Sequence, residues 1–145
     1  MTTLERYTKF LKGLKLKHFS PVEITRYAER TTGRGVKNEL PPAALWPNLV
    51  PTLRVLDELR AAIGKPIVLT SIYRGPAYNR AVGGVSGSQH LRNCAIDFQV
   101  KGMSPQAVYN RLLDMRRDGK FKGGLGVYAT FVHIDTRGVN ATWRG

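Results

Sequence analysis

Two short segments of the chain combine histidine with carboxylate side chains, the residue types that bind metals and move protons. His90 and Asp97 are seven residues apart, and His133 and Asp135 are two residues apart. The imidazoles of His90 and His133 with the carboxylate of Asp97 suit one zinc ion whose fourth position is left for water. Zinc in such a site activates water and polarises a carbonyl, which is the chemistry of hydrolysis. The spacing also occurs by chance, so a salt-bridged Asp97 with two structural core histidines remains open as an alternative.

The alternation of side chains predicts how these residues reach one another. Residues 95–100 alternate in the manner of a strand, which puts Asp97 on the face opposite the apolar side chains. His133 and Asp135 likewise share one face of a second predicted strand. A carboxylate between apolar neighbours in mid-strand costs free energy unless it is paired or bound to a metal. If the two strands are neighbours, His133 and Asp97 converge, and His90 reaches them from a glycine-rich loop.

The remaining pattern predicts an α+β fold of one domain, with helices packed on a small, mostly antiparallel sheet. Apolar side chains at helical spacing and good capping residues predict helices at residues 3–12, from Ser20 to about Gly33, at 49–63 and from Ser104 to about Gly119. Strands are predicted at residues 66–70 and 95–100, and two more in residues 123–138. Residues 34–48 and 72–88 are predicted as loops, the second with one helical turn. Residues 1–48 then form a helical N-terminal part and residues 49–145 a catalytic core.

Composition restricts the class of partner and the compartment. The 145 residues carry 23 basic and 10 acidic side chains, a net charge of +13, which implies an anionic partner or a solvated basic surface. No stretch reaches the roughly 20 apolar residues of a membrane helix. The N-terminal segment carries charges throughout, so we expect no secretory signal. The single cysteine, Cys94, excludes an internal disulfide and is expected to be a small buried hydrophobe.

Several ordered motifs resemble one enzyme family. Residues 88–97 are similar to the serine-x-histidine and alanine-x-aspartate signature of zinc D-alanyl-D-alanine carboxypeptidases and related cell-wall endopeptidases. The resemblance extends over roughly residues 18–143 and is also carried by the segments HFSPVEI, SIYRGPAYNRAVGGVSGSQH and GGLGVYATFVHIDTRG. It implies that His90, Asp97 and His133 are the ligands of one zinc ion. It also implies that the substrate is a peptide bond in the stem peptides of peptidoglycan.

The resemblance assigns substrate-binding residues as well. Arg74 matches an arginine that binds or polarises the substrate near the cleaved bond, a role that suits its planar, always-charged guanidinium. A structural salt bridge is the alternative for Arg74. Ser88 matches a motif position whose hydroxyl contacts substrate or only shapes the loop. Tyr73, beside Arg74, is the one aromatic residue that we assign to the substrate site.

Two positions depart from the family pattern. Many relatives have glycine where this chain has Asn93, and asparagine is the residue that best replaces glycine in a left-handed backbone conformation. Better-known relatives place an acidic general base three residues before the last ligand, where this chain has Thr130. Asp135, on the same strand face as His133, is our predicted replacement for that base. The alternative is that Asp135 only orients His133.

The resemblance implies a biological setting as well as an activity. A compact basic domain of this kind resembles a bacteriophage lysis endopeptidase, which is made in the cytoplasm and released to the cell wall by another protein. Its positive charge would favour the anionic envelope, and we expect a monomer. Thr130 motivates one alternative, a non-catalytic, zinc-containing module that binds cell wall. The charge motivates another, a basic nucleic-acid-binding protein, although no nucleic-acid-binding motif is present and we expect no specific nucleic acid as partner.

Overall fold

The structure, a computed structural model, describes all residues from Met1 to Gly145. Five α-helices are present: α1 (Thr3–Gly13), α2 (Pro21–Thr25), α3 (Val50–Ile63), α4 (Pro76–Ala81) and α5 (Pro105–Arg117). Five strands are present: β1 (Ile67–Ser71), β2 (Ala95–Val100), β3 (Gly124–Val127), β4 (Val132–Asp135) and β5 (Ala141–Arg144). Two 3₁₀ helices, Arg26–Glu29 and Ala43–Leu49, complete the regular elements. None of the helices is both long enough and apolar enough to cross a membrane.

The five strands form a single sheet in the order β1-β2-β4-β3-β5. Every neighbouring pair is antiparallel except β3 and β5, which run parallel. The predicted α+β fold, with helices on a small and mostly antiparallel sheet, is confirmed. Because β2 and β4 are neighbours near the middle of this sheet, residues on them face each other directly.

One hydrophobic core joins one face of the sheet to the helices. Ile96, Phe98 and Ile134 contribute fully buried side chains from β2 and β4. Leu56 of α3 and Leu112 of α5 are buried in the same cluster. The alternate residues of β2 and β4 therefore lie on the opposite face of the sheet, which leaves that face for polar side chains.

The helix ends follow the expected capping chemistry. The backbone N–H of Ser20 donates to the carboxylate of Glu23 at 3.2 Å, as predicted for the start of α2. Ser104 accepts from the backbone of Ala107 at 3.2 Å and caps α5. Gly64 ends α3 with a left-handed φ of 63°. These caps fix where each helix begins or ends around the sheet.

Three segments differ from their predictions. The helix that begins after Ser20 becomes a 3₁₀ helix at Arg26 and ends at Glu29, before Gly33. The predicted loop at 34–48 contains a 3₁₀ helix, and the helical turn expected within 72–88 is a six-residue helix, α4. Strand β5 was not predicted. It is an edge strand with alternating half-buried and exposed residues, so it lacks the apolar run that marks a strand in the sequence.

Candidate metal centre

Asp97 and His133 meet because their strands pair in register. Asp97 of β2 lies directly opposite His133 of β4, and both project from the sheet face that points away from the core. Oδ1 of Asp97 is 2.8 Å from Nδ1 of His133. The convergence that side-chain alternation predicted for these two residues is therefore present in the structure.

His90 reaches the same point from the loop before β2. Its Nδ1 lies 2.6 Å from the carbonyl oxygen of Ile72, to which it donates, so Nε2 faces the sheet. Nε2 is 3.2 Å from Oδ2 of Asp97. Asn93 adopts a left-handed φ of 58°, as predicted, and its side-chain amide donates to the carbonyl of Leu45 at 3.0 Å. The carbonyl of Ile72 thus fixes the ring of His90, and the carbonyl of Leu45 fixes the turn that follows it.

The three side chains fit a small tetrahedral metal ion. One donor atom from each of His90, Asp97 and His133 lies within 4.8 Å of the others, and all three residues are buried. Zinc–ligand bonds of roughly 2.0–2.1 Å place neighbouring tetrahedral donors about 3.3 Å apart. The observed separations of 2.8 and 3.2 Å need only a small opening to reach that value. Two imidazole nitrogens and one carboxylate also match the ligand chemistry of zinc.

Asp135 lies behind His133, on the far side of the ring from Asp97. Oδ2 of Asp135 is 2.7 Å from Nε2 of His133. The same carboxylate accepts from the backbone of Gly124 at 2.9 Å and from Nε and Nη2 of Arg137 at 2.9 and 2.8 Å. Asp135 is fully buried and does not line the open depression above the donors. This geometry does not support Asp135 as the general base and fits the alternative, in which Asp135 orients His133.

The charges of this cluster shift the pKa values of its members. Burial acts to raise the pKa of Asp97, but hydrogen bonds from His133 and His90 outweigh it and hold the pKa well below its usual range. Burial likewise acts to raise the pKa of Asp135, and hydrogen bonds from His133 and Arg137 reverse that effect. Burial acts to lower the pKa of His133, yet its bonds to Asp135 and Asp97 raise it. Both carboxylates are therefore held ionised, as metal ligation and ligand orientation require.

Arg74 is brought to the donor cluster, as predicted. Its Nη2 is 3.8 Å from Oδ2 of Asp97. Its Nε donates to Ser71 and its Nη1 to the side-chain oxygen of Asn79, both at 3.3 Å. Asn79 is 2% exposed, and its amide also donates to the carbonyl of Val85 at 2.9 Å. Asn79 was not identified in the sequence, because an asparagine in a glycine-rich loop gives no sign that it is buried.

The other two substrate predictions have different outcomes. Ser88 lines the depression, and its hydroxyl accepts from the backbone N–H of His90 at 3.2 Å, which fits the loop-shaping alternative. Tyr73 does not reach the depression. Its ring is buried on the other side of the chain in a small cavity with Ile24 and Leu40. Tyr73 therefore does not line the depression, contrary to its assignment to substrate binding, whereas its neighbour Arg74 does.

An open depression of about 640 Å³ lies above the three donors. Its walls include Arg74, Tyr128, Phe131, Arg137 and Trp143. Asp97 is the only acidic residue that lines it. Thr130, at the position where relatives place an acid, lies outside this depression and lines another one.

Trp143 of β5 forms a wall that the sequence analysis did not assign. Its ring centroid lies 5.0 Å from that of His133, and its Nε1 donates to the hydroxyl of Tyr128 at 2.8 Å. A Cβ atom at Gly126 would collide with the indole of Trp143. Glycine at position 126 thus allows β5 to bring the indole close to the ring of His133.

Comparison with known proteins agrees with the donor geometry. A family model described as Peptidase M15 matches residues 17–135, which include all three donor residues. The chain belongs to the peptidase M15 family. No curated protein matches it. Membership in M15 indicates a hydrolytic enzyme of the metallopeptidase class acting on a peptide, and M15 peptidases are zinc-dependent.

Both ends of the chain lie outside the segment that the family model matches. Helix α1 precedes the matched residues, and Arg137 and strand β5 follow them. Tyr7 of α1 is nevertheless buried against Trp46, with ring centroids 5.0 Å apart. Arg137 and Trp143 contact Asp135 and His133 directly. Residues beyond the matched segment therefore complete the surroundings of the candidate metal centre in this M15 member.

Proposed function

We propose that this chain is a zinc peptidase that hydrolyses a peptide bond in the stem peptides of peptidoglycan. The observation that carries the proposal is the convergence of His90, Asp97 and His133 at the floor of an open depression that Arg74 also lines. The M15 match supports the reaction class. A peptidoglycan substrate is supported by the family resemblance and by the net charge of +13, which favours an anionic polymer.

The ligand set has a clear division of roles. His90 would hold the ion through Nε2, His133 through Nδ1 and Asp97 through a carboxylate oxygen. When bound, zinc supplies a Lewis acid that polarises the carbonyl to be cleaved and makes water a stronger nucleophile. The carbonyl of Ile72 fixes the ring of His90 by accepting from Nδ1.

Asp135 acts on the reaction through His133. Because its carboxylate accepts from Nε2, it holds the ring with Nδ1 turned towards Asp97 and raises the basicity of that nitrogen. Arg137 and the backbone of Gly124 keep the carboxylate in place. We therefore propose that Asp135 is a positioning residue and not the general base.

Arg74 is the residue that binds the reacting group of the substrate. Ser71 and Asn79 hold its guanidinium beside the donors, and its charge is directed into the depression. A fixed guanidinium stabilises the oxygen of the cleaved carbonyl as negative charge develops on it. The guanidinium does not have to move during the reaction, because Ser71 and Asn79 already hold it in place.

The proposed setting is lysis of a bacterial cell by a bacteriophage. We propose that the protein is made in the cytoplasm, reaches the wall after release by another protein and acts there as an endopeptidase. The support is the family resemblance together with the basic surface, which would concentrate the enzyme at the anionic envelope.

Digestion of isolated peptidoglycan tests the activity. Zinc-loaded protein should lower the turbidity of a sacculus suspension, and mass spectrometry should show new peptide termini. His90→Ala should abolish both signals. His18→Ala is the matched control, because His18 is exposed and contributes no donor to the cluster. Peptidoglycan left intact by zinc-loaded protein would contradict the proposed function.

A second candidate follows from the lack of any free carboxylate in the depression. Asp97 is the only acid there and belongs to the donor set, so a catalytic base is not evident. A non-catalytic module would bind sacculi in a zinc-dependent manner and release no peptide. Co-sedimentation with sacculi, measured beside the digestion assay, separates this candidate from the peptidase.

A further inference from the structure

A second depression lies next to the metal site. It has a volume of about 510 Å³ and is bounded by the 3₁₀ helix Ala43–Leu49 and the segment between His90 and β2. Gln89 and Arg137 line both depressions, so they form the ridge between them. A substrate lying over the metal ligands can therefore extend across this ridge without leaving the surface of the enzyme.

Basic residues outnumber acidic ones in the lining of both depressions. Arg74 lines the first, Arg92 the second and Arg137 both. The only acidic residue among all their lining residues is Asp97, which belongs to the metal donor set. Arg92 is exposed and forms no ion pair, whereas Arg74 and Arg137 each have a carboxylate partner. The charge of Arg92 is therefore available to a ligand.

Arg137 is held rigidly at the boundary. Two of its guanidinium nitrogens and its backbone N–H donate to Asp135, and its guanidinium stacks on the ring of Trp143 at 5.4 Å. Its Nη1 makes no hydrogen bond within the protein. A guanidinium fixed in this way can bind an anion with little further loss of side-chain entropy.

The walls of the second depression are also fixed before any ligand arrives. The side-chain amide of Asn48 donates to the carbonyl of Arg92 at 2.9 Å and ties the two walls together. The hydroxyls of Thr136 and Thr52 are 2.8 Å apart, and Thr52 also donates to the carbonyl of Cys94. The depression is thus a formed feature of the fold rather than a gap between mobile loops.

We infer that this second depression is a carboxylate subsite, in which Arg92 and Arg137 bind an acidic residue of the substrate near the cleaved bond. The inference rests on the proposed function and adds a requirement to it: the peptide carries a free carboxylate one or two residues from that bond. The subsite adjoins the donor cluster, because Asp135 contacts both the ring of His133 at 2.7 Å and Arg137 at 2.8 Å. An extended peptide advances at most about 3.5 Å per residue, so a carboxylate close to the cleaved bond suits a subsite that adjoins the cluster.

The test uses two synthetic stem peptides once mass spectrometry has identified the cleaved bond. The peptides differ only in the acidic residue nearest that bond, which bears a free carboxylate in one and a carboxamide in the other. Wild-type protein should cleave the carboxylate peptide with a kcat/KM about tenfold higher, mainly through a lower KM. Arg92→Gln should lower kcat/KM for the carboxylate peptide much more than for the carboxamide peptide, and so remove most of this preference. Arg92→Lys, which keeps the charge but loses the planar fork, should retain part of it.

Arg111→Gln is the matched control. Arg111 is an exposed residue of α5, whose buried side chains belong to the core on the opposite face of the sheet, and it lines neither depression. Arg111→Gln should keep the full preference for the carboxylate peptide. Binding of the acidic cleavage product to metal-free protein, measured by calorimetry, gives a readout that does not depend on turnover and should weaken in Arg92→Gln alone.

The outcomes separate this inference from the function on which it rests. Equal cleavage of both peptides by wild-type protein, or an equal fall for both peptides in Arg92→Gln, would overturn the carboxylate subsite and leave the peptidase intact. Cleavage of neither peptide by zinc-loaded protein would overturn the proposed function and this inference with it.

Discussion

Asp135 and Asp97 lie on opposite sides of the imidazole of His133, with Oδ2 of Asp135 2.7 Å from Nε2 and Oδ1 of Asp97 2.8 Å from Nδ1. Two buried carboxylates thus share one ring. When a metal takes Nδ1 of His133, the remaining ring proton is on Nε2 and points at Asp135. The ring then has one tautomer and one orientation, which is the condition for a strong histidine ligand.

Replacing Asp135 tests this relationship. Asp135→Asn keeps the size of the side chain but removes the charge that holds the ring of His133. We expect zinc affinity, measured by competition with a chelator, to fall by about 10- to 100-fold, because loss of such a partner weakens the ligand it orients. Activity at saturating zinc should recover in part.

The competing role for Asp135 gives the opposite pattern. If Asp135 were the general base, Asp135→Asn would lower kcat by a large factor even with the site fully loaded, and zinc affinity would stay at the wild-type value. Thermal unfolding of the variant shows whether loss of its bonds to Arg137 and Gly124 also affects the fold.

Metal removal should lower stability in a way that depends on the donor set. A ligand present at about 1,000 times its Kd stabilises the folded state by about 4 kcal/mol. For a protein of this size, that corresponds to a rise in Tm of roughly 10 °C. We expect zinc added to chelator-treated protein to produce such a shift. His90→Ala should show little of it and His18→Ala all of it; a full shift in both variants would place the zinc elsewhere.

Asn79 offers a test of how Arg74 is positioned. Asn79→Ala removes the acceptor for Nη1 of Arg74 and leaves the carbonyl of Val85 without its donor. We expect a loss of about 1–3 kcal/mol of stability for the broken buried hydrogen bonds. We also expect kcat/KM to fall by roughly tenfold while zinc affinity is unchanged.

The measurement of kcat/KM decides whether Asn79 positions Arg74 or only stabilises the fold. If Asn79→Ala lowers the free energy of unfolding but leaves kcat/KM at the wild-type value below its Tm, Arg74 does not depend on Asn79 for its placement. Substitution of Arg74 itself by lysine should lower kcat/KM in either case, because lysine lacks the planar fork.

Gly126 tests the wall formed by β5. Gly126→Ala introduces a Cβ that collides with the indole of Trp143. We expect a loss of about 1–3 kcal/mol from overpacking, a change in tryptophan fluorescence as the indole moves, and lower activity. Gly13→Ala is the matched control, since nothing lies within 4 Å of a Cβ at that position. Wild-type stability and fluorescence in Gly126→Ala would contradict the packing described for Trp143.

The parts of the site that could be predicted from the sequence are those governed by local rules. Alternation along a strand has a fixed period of two, so the faces of Asp97 and His133 followed directly from their neighbours. The helix starts followed from their capping residues. The left-handed turn at Asn93 needed the family resemblance as well, because many relatives have glycine there and asparagine best replaces glycine in that conformation.

The remaining parts depend on tertiary contacts that local rules do not contain. Adjacency to Arg74 suggests that Tyr73 belongs to the site, yet Tyr73 lines a different cavity. The pairing of β1 with β2 also shifts register between Leu69 and Ser71, so alternation cannot be extended through this strand. The depth of Asp135 and the burial of Asn79 result from packing with distant segments. Trp143 reaches His133 only because β5 pairs with β3.

The pairing of Asp97 with His133 also has a consequence for folding. A slip of one residue between β2 and β4 would turn apolar side chains towards water, so the loss of hydrophobic burial disfavours it. A slip of two residues would keep every apolar side chain buried on its proper face, but it would move the two ligands about 6.6 Å apart along the strands. Hydrophobic burial alone discriminates poorly against that second error, whereas a bound ion would favour the native alignment, so refolding with metal should give fewer misaligned molecules than refolding without it.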